Sequence, residues 1–421
     1  MVIRVPVYLP FPGKAPSTQI QVLVVALSIL ISCRCTAQTA NDPTIAKPTS
    51  SDVRAYGATC DGVADDTQAF RLALAEARNV LVPPLTCVVS GITVPSGKAL
   101  RGSGKSVTVL LQKPGSSGAV VTLKSASQNI ELADFTIDGN AHNQSAANDG
   151  LAITPDGIAP TRGIYAGNHF TVQHLFISNT TGDCFNLNSP NGVDYFHDVS
   201  GFRCGRRGAY IQLADSTFSD LDFGSTGQEG IYCDAGCANN RFSAVKVWFT
   251  GSTTRLAKQG AGVYLQGVRN EFAAVETQNT AGDGILMYLA VGNILDAVRS
   301  ESAGSNGEGT AGAVGIRFKN AELNHVSAFV GNGKCGNTTC KSMRYGIEFD
   351  TDGTHATSHG NIVSAVIQDP LTGDVNITDH YAADYNSILT TSTDLRSGTP
   401  QQWGTVIFRN ARAAADSINH D

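Results

Sequence analysis

Gly208-Ala209-Tyr210-Ile211, Gly230-Ile231-Tyr232-Cys233 and Gly262-Val263-Tyr264-Leu265 are three copies of one short phrase, and its recurrence decides the fold. The phrase also reads at Gly163-Ile164-Tyr165, Gly284-Ile285-Leu286-Met287, Gly315-Ile316-Arg317-Phe318 and Gly346-Ile347-Glu348-Phe349, with Cys184-Phe185-Asn186-Leu187 filling the one vacant slot. Anchors at 163, 184, 208, 230, 262, 284, 315 and 346 are separated by 21, 24, 22, 32, 22, 31 and 31 residues. A fixed step of this size marks a solenoid, in which each repeat buries its apolar face only against its neighbours. Within each copy, apolar residues alternate with polar ones, the period of a strand. A second strand follows, typically opened by Asn, as in Asn240-Arg241-Phe242, Asn270-Glu271-Phe272, Asn293-Ile294-Leu295 and Asn361-Ile362-Val363. Short strands with Gly or Asn at the corners and no helical periodicity predict an all-β parallel β-helix over residues 51–385. Leucine-rich and propeller repeats would carry other signatures and periods.

The 421 residues are 42% hydrophobic and 16% charged, with 44 Gly, a composition suited to a globular chain rich in turns. Residues 1–37 carry Arg4, Lys14 and Arg34, no acid, and an apolar run from Ile20 to Ile31 that is short for a bilayer span. This segment reads as a signal peptide cleaved after Ala37, giving a secreted protein. A lipoprotein anchor at Cys33 within Leu30-Ile31-Ser32-Cys33 is the alternative exit. Residues 38–50 then form a linker and 386–421 a less regular tail. Loss of three cations moves the formal charge from -6 to -9, which excludes non-specific nucleic-acid binding. Eight of the ten Cys follow residue 37, an even number that predicts disulfides in an exported chain. Cys233 with Cys237 and Cys335 with Cys340 are close enough to pin single loops, while the partners of Cys60, Cys87, Cys184 and Cys204 stay open.

The opening Asp52-Val53-Arg54-Ala55-Tyr56-Gly57-Ala58-Thr59-Cys60-Asp61-Gly62-Val63-Ala64-Asp65-Asp66-Thr67-Gln68-Ala69-Phe70 resembles that of the pectate-lyase-like superfamily of secreted β-helix proteins. Val82-Pro83-Pro84, Leu100-Arg101-Gly102-Ser103-Gly104 and Phe135-Thr136-Ile137-Asp138-Gly139-Asn140 extend the likeness downstream. The resemblance implies a right-handed parallel β-helix with an N-terminal capping helix. It does not fix one reaction, because its members include polysaccharide lyases, polygalacturonase-like hydrolases, epimerases and phage tailspikes. It further implies Ca2+ as a cofactor of a lyase and a homotrimer for a tailspike; no other cofactor is expected. Asp65 or Asp66 is placed to cap a helix over 67–78, whose Phe70, Leu72 and Leu74 would lid the open end of the stack.

Equivalent residues of successive coils stack about 4.8 Å apart, so outward columns can be written from the repeat. Two residues after the anchor the column runs Tyr165, Asn186, Tyr210, Tyr232, Tyr264, Leu286, Arg317, Glu348; two further on it includes Asn188, Gln212, Asp234, Gln266 and Tyr288. Tyr210, Gln212, Tyr232, Asp234, Tyr264 and Asn186 are therefore the expected substrate-binding residues, with ring faces for sugar C–H groups and amides for hydroxyls. The corner before each anchor runs Arg162, Asp183, Arg207, Glu229, Ala261, Asp283, Val314, Tyr345. Asp183, Glu229 and Arg207 are the expected catalytic residues: the two acids lie two coils, or about 9.6 Å, apart, near the separation of an inverting glycosidase pair. Arg207 would hold Asp183 ionised and leave Glu229 as proton donor. The competing reading is a salt-bridged ladder without chemistry.

Asn179-Thr180-Thr181-Gly182-Asp183-Cys184 is similar to the Asp-Asp-Cys segment of polygalacturonase-like enzymes with one Asp missing, and Gly315-Ile316-Arg317-Phe318-Lys319 looks like their substrate clamp. Their Gly-His-Gly is absent. A lyase would need a base and a cation for the uronate carboxyl, for which Arg206, Arg207, Tyr210 and Tyr232 are available. Asp222, Lys246, Glu276 and Arg299 form another outward column of alternating sign, read as structural. The function expected is an exported hydrolase or lyase acting on an extended polysaccharide, with a non-catalytic glycan-binding or tailspike-like surface protein as the alternative. No metal-ligand motif and no transmembrane segment is expected.

Overall fold

The computed structural model describes residues 49–156, 168–252, 260–305, 312–332, 343–368 and 386–393, together with short strand segments at 334–335, 338–339, 373–377 and 404–407. The expected signal peptide, Cys340 and the anchor at Gly163 lie outside these residues.

Two long parallel sheets wind around one core. The short-strand sheet runs from Ile92–Thr93 to Gly373–Ile377. The long-strand sheet includes Thr171–Thr180, Tyr195–Cys204, Thr217–Gly224, Arg241–Trp248, Glu271–Gln278 and Ile294–Glu301. A third, narrow side is a line of parallel bridges through Ala214, Ala238, Val268, Val291, Glu322 and His359. The chain is thus a right-handed parallel β-helix, as the repeat implied. The parallel pairing continues past residue 385, because Ile362–Gln368 pairs with Ser387–Thr393.

The register bears out the anchors from Cys184 onward: Phe185, Ala209, Ile231, Val263, Ile285, Ile316 and Ile347 are successive partners. Ahead of them the partner of Phe185 is Leu151, so the preceding phrase is Gly150-Leu151-Ala152-Ile153 and the strand before it is Val121–Lys124. Gly163 is not needed as an anchor.

The anchor glycines answer a steric demand. A Cβ at Gly230 would stand 2.0 Å from Val247 Cγ1 and 2.8 Å from the Gly262 carbonyl, and one at Gly262, Gly284 or Gly315 would meet the carbonyl of the next anchor at 2.6 Å. Inside, Phe196, Phe218, Phe242 and Phe272 stack along the axis at 4.8, 4.6 and 4.2 Å. Seven long strands, from Glu131–Asp138 to Ile294–Glu301, bend near their middle at a left-handed residue: Asp134, His174, Asp198, Asp220, Ala244, Ala274 and Ala297. The bend shifts the strand's phase, so that Phe242 and Val245 both point inward although three residues apart.

The Asn residues that open the long strands form a buried ladder. Each side-chain carbonyl accepts the backbone N–H of the preceding rung, from Asn240 through Asn270, Asn293, Asn324 and Asn361 to Asn386. Each amide donates to a carbonyl of the preceding coil, as Asn270 does to Cys237 O at 2.9 Å. Buried backbone groups at the corner are satisfied in this way. Ser216 and Asp194 occupy the rungs before Asn240.

The helix spans Thr67–Glu76 and buries Phe70 and Leu74, whereas Leu72 is 42% exposed and faces away from the stack. Asp65 caps it through the Thr67 N–H at 3.0 Å. Asp66 instead accepts the N–H groups of Thr59, Cys60 and Val88. Among the described residues the disulfides are Cys60–Cys87, Cys184–Cys204 and the expected Cys233–Cys237. Among the described residues no helix is long and apolar enough to cross a membrane.

Candidate functional site

The corner between the long strands and the short-strand sheet places five charged residues in contact. Asp183 follows the turn after Thr171–Thr180, and Arg206 and Arg207 lie in the equivalent turn one coil on. Arg206 bonds Asp183 and Asp149, each at 3.0 Å. The Arg207 N–H donates to Asp183 at 2.9 Å, and its guanidinium lies 3.8 Å from Asp183 and 3.3 Å from Glu229. Asp149 also accepts the Asp183 N–H and the Asn186 amide, both at 2.7 Å. Arg207 therefore does stand between the two expected acids. Asp183 and Glu229 are only 1% and 3% exposed, however, so guanidinium groups cover both.

Burial pushes the Asp183 carboxyl up to about 6, with Asp149 adding to the rise and Arg206 and the Arg207 N–H opposing it. Arg207 does act to keep Asp183 ionised, as expected, but desolvation outweighs the two cations and leaves the carboxyl above its ordinary value.

The outward Tyr residues form a ladder of their own. Tyr210 and Tyr232 stack at 5.7 Å, and Tyr232 and Tyr264 at 4.5 Å with planes 5° apart. Arg207 lies over Tyr232 at 4.5 Å and over Tyr210 at 5.3 Å. The rings therefore cover one another's faces and turn their edges and hydroxyls outward, which differs from the expected platform for sugar C–H groups. The Tyr210 hydroxyl donates to Asp234 and lies 3.3 Å from Gln212 Oε1. Burial and the neighbouring Asp234 both push its pKa above the usual phenol value, so it keeps its proton and is no base. Thus Asn186, Tyr210, Gln212, Tyr232, Asp234 and Tyr264 do share one face with the charged cluster.

Asp149 was not legible as part of the site, since the phrase it precedes, Gly150-Leu151-Ala152-Ile153, lacks a Tyr and a near-regular step. Arg317 does not act as a free clamp: it bonds Asp283 at 2.8 Å and also Glu348, with Asp350 at 3.5 Å. The outward column read as structural pairs Lys246 with Glu276 at 3.8 Å, whereas Arg299 turns to Glu301 and Asp222 to the Trp248 indole. Among the described residues, three potential metal ligands converge at Cys60, Asp66 and Cys87. Both Cys are disulfide-bonded and Asp66 caps backbone N–H groups, so this group is structural.

Comparison with known proteins supports the fold. The pre-neck appendage protein of Bacillus phage phi29 is 38% identical over 94 residues, which is 21% of this chain and 11% of the phage protein. This chain thus aligns with only a small part of that relative. Tailspike protein 2 of Escherichia coli O157:H7 bacteriophage CAB120 superposes with a TM-score of 0.60 at 18% identity, over 77% of this chain and 46% of the tailspike. The A-module of the Azotobacter vinelandii mannuronan C-5 epimerase AlgE4 gives a TM-score of 0.51 at 17% identity, over 82% of this chain and 100% of the module. No family model matches the sequence. The structural neighbours are tailspike and polysaccharide-acting parallel β-helix proteins, and at 17–18% identity they show the fold alone.

Proposed function

We propose that the chain recognises an extended polysaccharide along the short-strand sheet. The observation that carries this reading is the continuous rim of Asn186, Tyr210, Gln212, Tyr232, Asp234 and Tyr264, which offers amide, hydroxyl and carboxylate groups at the repeat of the coils. A linear polymer of hydroxyl-bearing units meets such a one-dimensional array at several points at once, so many weak hydrogen bonds sum. The likeness to tailspike and epimerase folds agrees with this reading. Export belongs to the same proposal, since three disulfides fit an oxidising compartment. Trimer formation belongs to it too and is read by sedimentation.

A second reading, hydrolysis at the corner, has its own support. Asp183, raised to about 6, gains its proton just below neutrality beside Asp149, which accepts from the Asn186 amide and from Arg206, and a carboxyl with a raised value next to a second carboxyl suits acid–base chemistry. Against it, Arg206 and Arg207 must move before Asp183 can meet a glycosidic oxygen.

One experiment tests both readings. A panel of soluble polysaccharides is screened for retardation of the protein in affinity gels, for new reducing ends and for the ultraviolet absorbance of unsaturated uronates. Retardation alone supports recognition, reducing ends add hydrolysis, and unsaturated products would replace hydrolysis with elimination. No retardation by any member removes the proposal.

A further inference from the structure

The Tyr rings are stacked on one another, and a second aromatic group gathers on the long-strand sheet. Phe202, Gly224 and Trp248 are successive partners at the ends of three neighbouring long strands. A Cβ at Gly224 would fall 2.5 Å from Trp248 Cε2, 2.6 Å from Cζ2 and 2.9 Å from Cδ2. The indole therefore lies directly over the Gly224 Cα and occupies the space an outward side chain would take. Only Gly at this position lets the indole lie down on the sheet, where it stays partly exposed. Phe202 continues the surface at 5.5 Å with a 32° tilt, and Phe249, 43% exposed, flanks it at 5.5 Å. The orientation is fixed by a hydrogen bond from the indole N–H to Asp222 at 2.7 Å. Polar groups border the rings: Asp222 itself, Arg203, whose guanidinium lies 5.4 Å over Phe202, and Gln278, the next partner of Trp248.

We propose that the Trp248 indole, walled by Phe202 and by Phe249 standing edge-on at 69°, forms a stacking subsite for a sugar ring of the polysaccharide. The chemistry fits a pyranose: its C–H face is apolar and flat, its rim carries hydroxyls, and the platform pairs a flat apolar surface with hydrogen-bonding neighbours. A protein partner would call for a larger apolar patch than three rings bordered by a carboxylate, a guanidinium and an amide. Location agrees as well. Phe202 lies near the end of the strand Tyr195–Cys204, which runs straight into the turn that holds Arg206 four residues on, so the platform and the charged corner are neighbours along the chain. This inference rests on the polysaccharide reading and supplies the ring contact that the Tyr face lacks.

The chain has two Trp, at 248 and 403, so a Trp403→Phe background leaves Trp248 as the single indole reporter. That protein is titrated with cello-, malto-, laminari- and galacturono-hexaose while its emission is followed, and binding is measured in parallel by calorimetry. The expected result is a saturable change in Trp248 emission with at least one hexaose. Trp248→Leu, which keeps apolar bulk but no flat face, should weaken that binding at least about tenfold, with an unchanged circular dichroism spectrum. Should Trp248→Leu fail to fold, Phe249→Ala and the emission change of Trp248 itself carry the test. Binding that is unaltered by these variants and silent in emission would overturn the platform while leaving polysaccharide recognition on the Tyr face intact. Absence of calorimetric binding to all four probes, together with no retardation by the polysaccharide panel, would overturn both. A variant that changes sedimentation mass but not sugar binding would make the platform an assembly surface and also overturn the subsite.

Discussion

Asp194 stands in a ladder otherwise built mainly from amides, and its charge sets a large, measurable pH term. It is fully buried: one carboxylate oxygen accepts the Phe170 N–H at 2.9 Å, and the other has no hydrogen-bond partner. Burial pushes this carboxyl up to about 7, against the lowering effects of the Phe170 N–H and Asn168. An ordinary carboxyl titrates at about 3.9, and each pH unit of difference is worth about 1.4 kcal/mol, so ionising Asp194 in the folded chain costs up to about 4 kcal/mol. The sign follows from the raised value. The unfolded chain releases this proton first, so stability is highest below about pH 4, falls as pH rises toward about 7, and levels off above it. Asp194→Asn removes the term and supplies the amide that the other rungs use. Urea unfolding from pH 4 to pH 8.5 should show the two proteins converging at the acid end and the Asp194→Asn variant more stable by several kcal/mol at the alkaline end. Asp183, raised to about 6, contributes in the same direction but is common to both proteins and cancels in the difference. Parallel stability curves for the two proteins would show that Asp194 is not held protonated, and the argument from burial would fail.

Asn270→Ala strips a buried N–H and a buried carbonyl of their partners at once. A loss of about 3 kcal/mol in urea unfolding is expected. Gly230→Ala forces a methyl group to 2.0 Å from Val247 Cγ1, so a loss of about 3 kcal/mol is expected, read as a lower melting temperature. Ala274→Gly relieves a left-handed backbone at φ 55° and should gain about 0.5–1 kcal/mol by the same measurement. Where reducing ends are released, the rate should fall as pH rises through about 6, as Asp183 loses its proton, and a pH–rate profile checks this.

Most of the stack was legible because a solenoid repeats its constraints. Gly, apolar, variable, apolar recurs wherever a coil turns its corner beneath the next, and steric demand at Gly230 or Gly315 leaves no other residue. A phrase of three residues such as Gly163-Ile164-Tyr165 is short enough to arise by chance, whereas Gly150 was hidden by a step of 34 residues to Cys184. The columns of the site were legible for the same reason, but the direction of a side chain within a column was not. Period two places Tyr232 and Tyr264 outward; it does not say that their rings lie against one another. Nor does it reveal that Trp248 leans over Gly224, since that contact joins neighbouring coils and depends on an absent side chain. Burial of Asp183 and Glu229 was equally hidden, because charge alternation along the corner names the partners without giving the depth of the pair.

The disulfides and the amide ladder divide the axis between two kinds of fastening. All three disulfides among the described residues lie between Cys60 and Cys237, and the run of Asn rungs begins at Asn240 and continues to Asn386. The described fastenings of the first part form only where thiols are oxidised, whereas the Asn rungs of the second use amides present in any compartment. A reductant would therefore act on the described coil unevenly, and the charged corner at Cys184–Cys204 falls in the part it reaches.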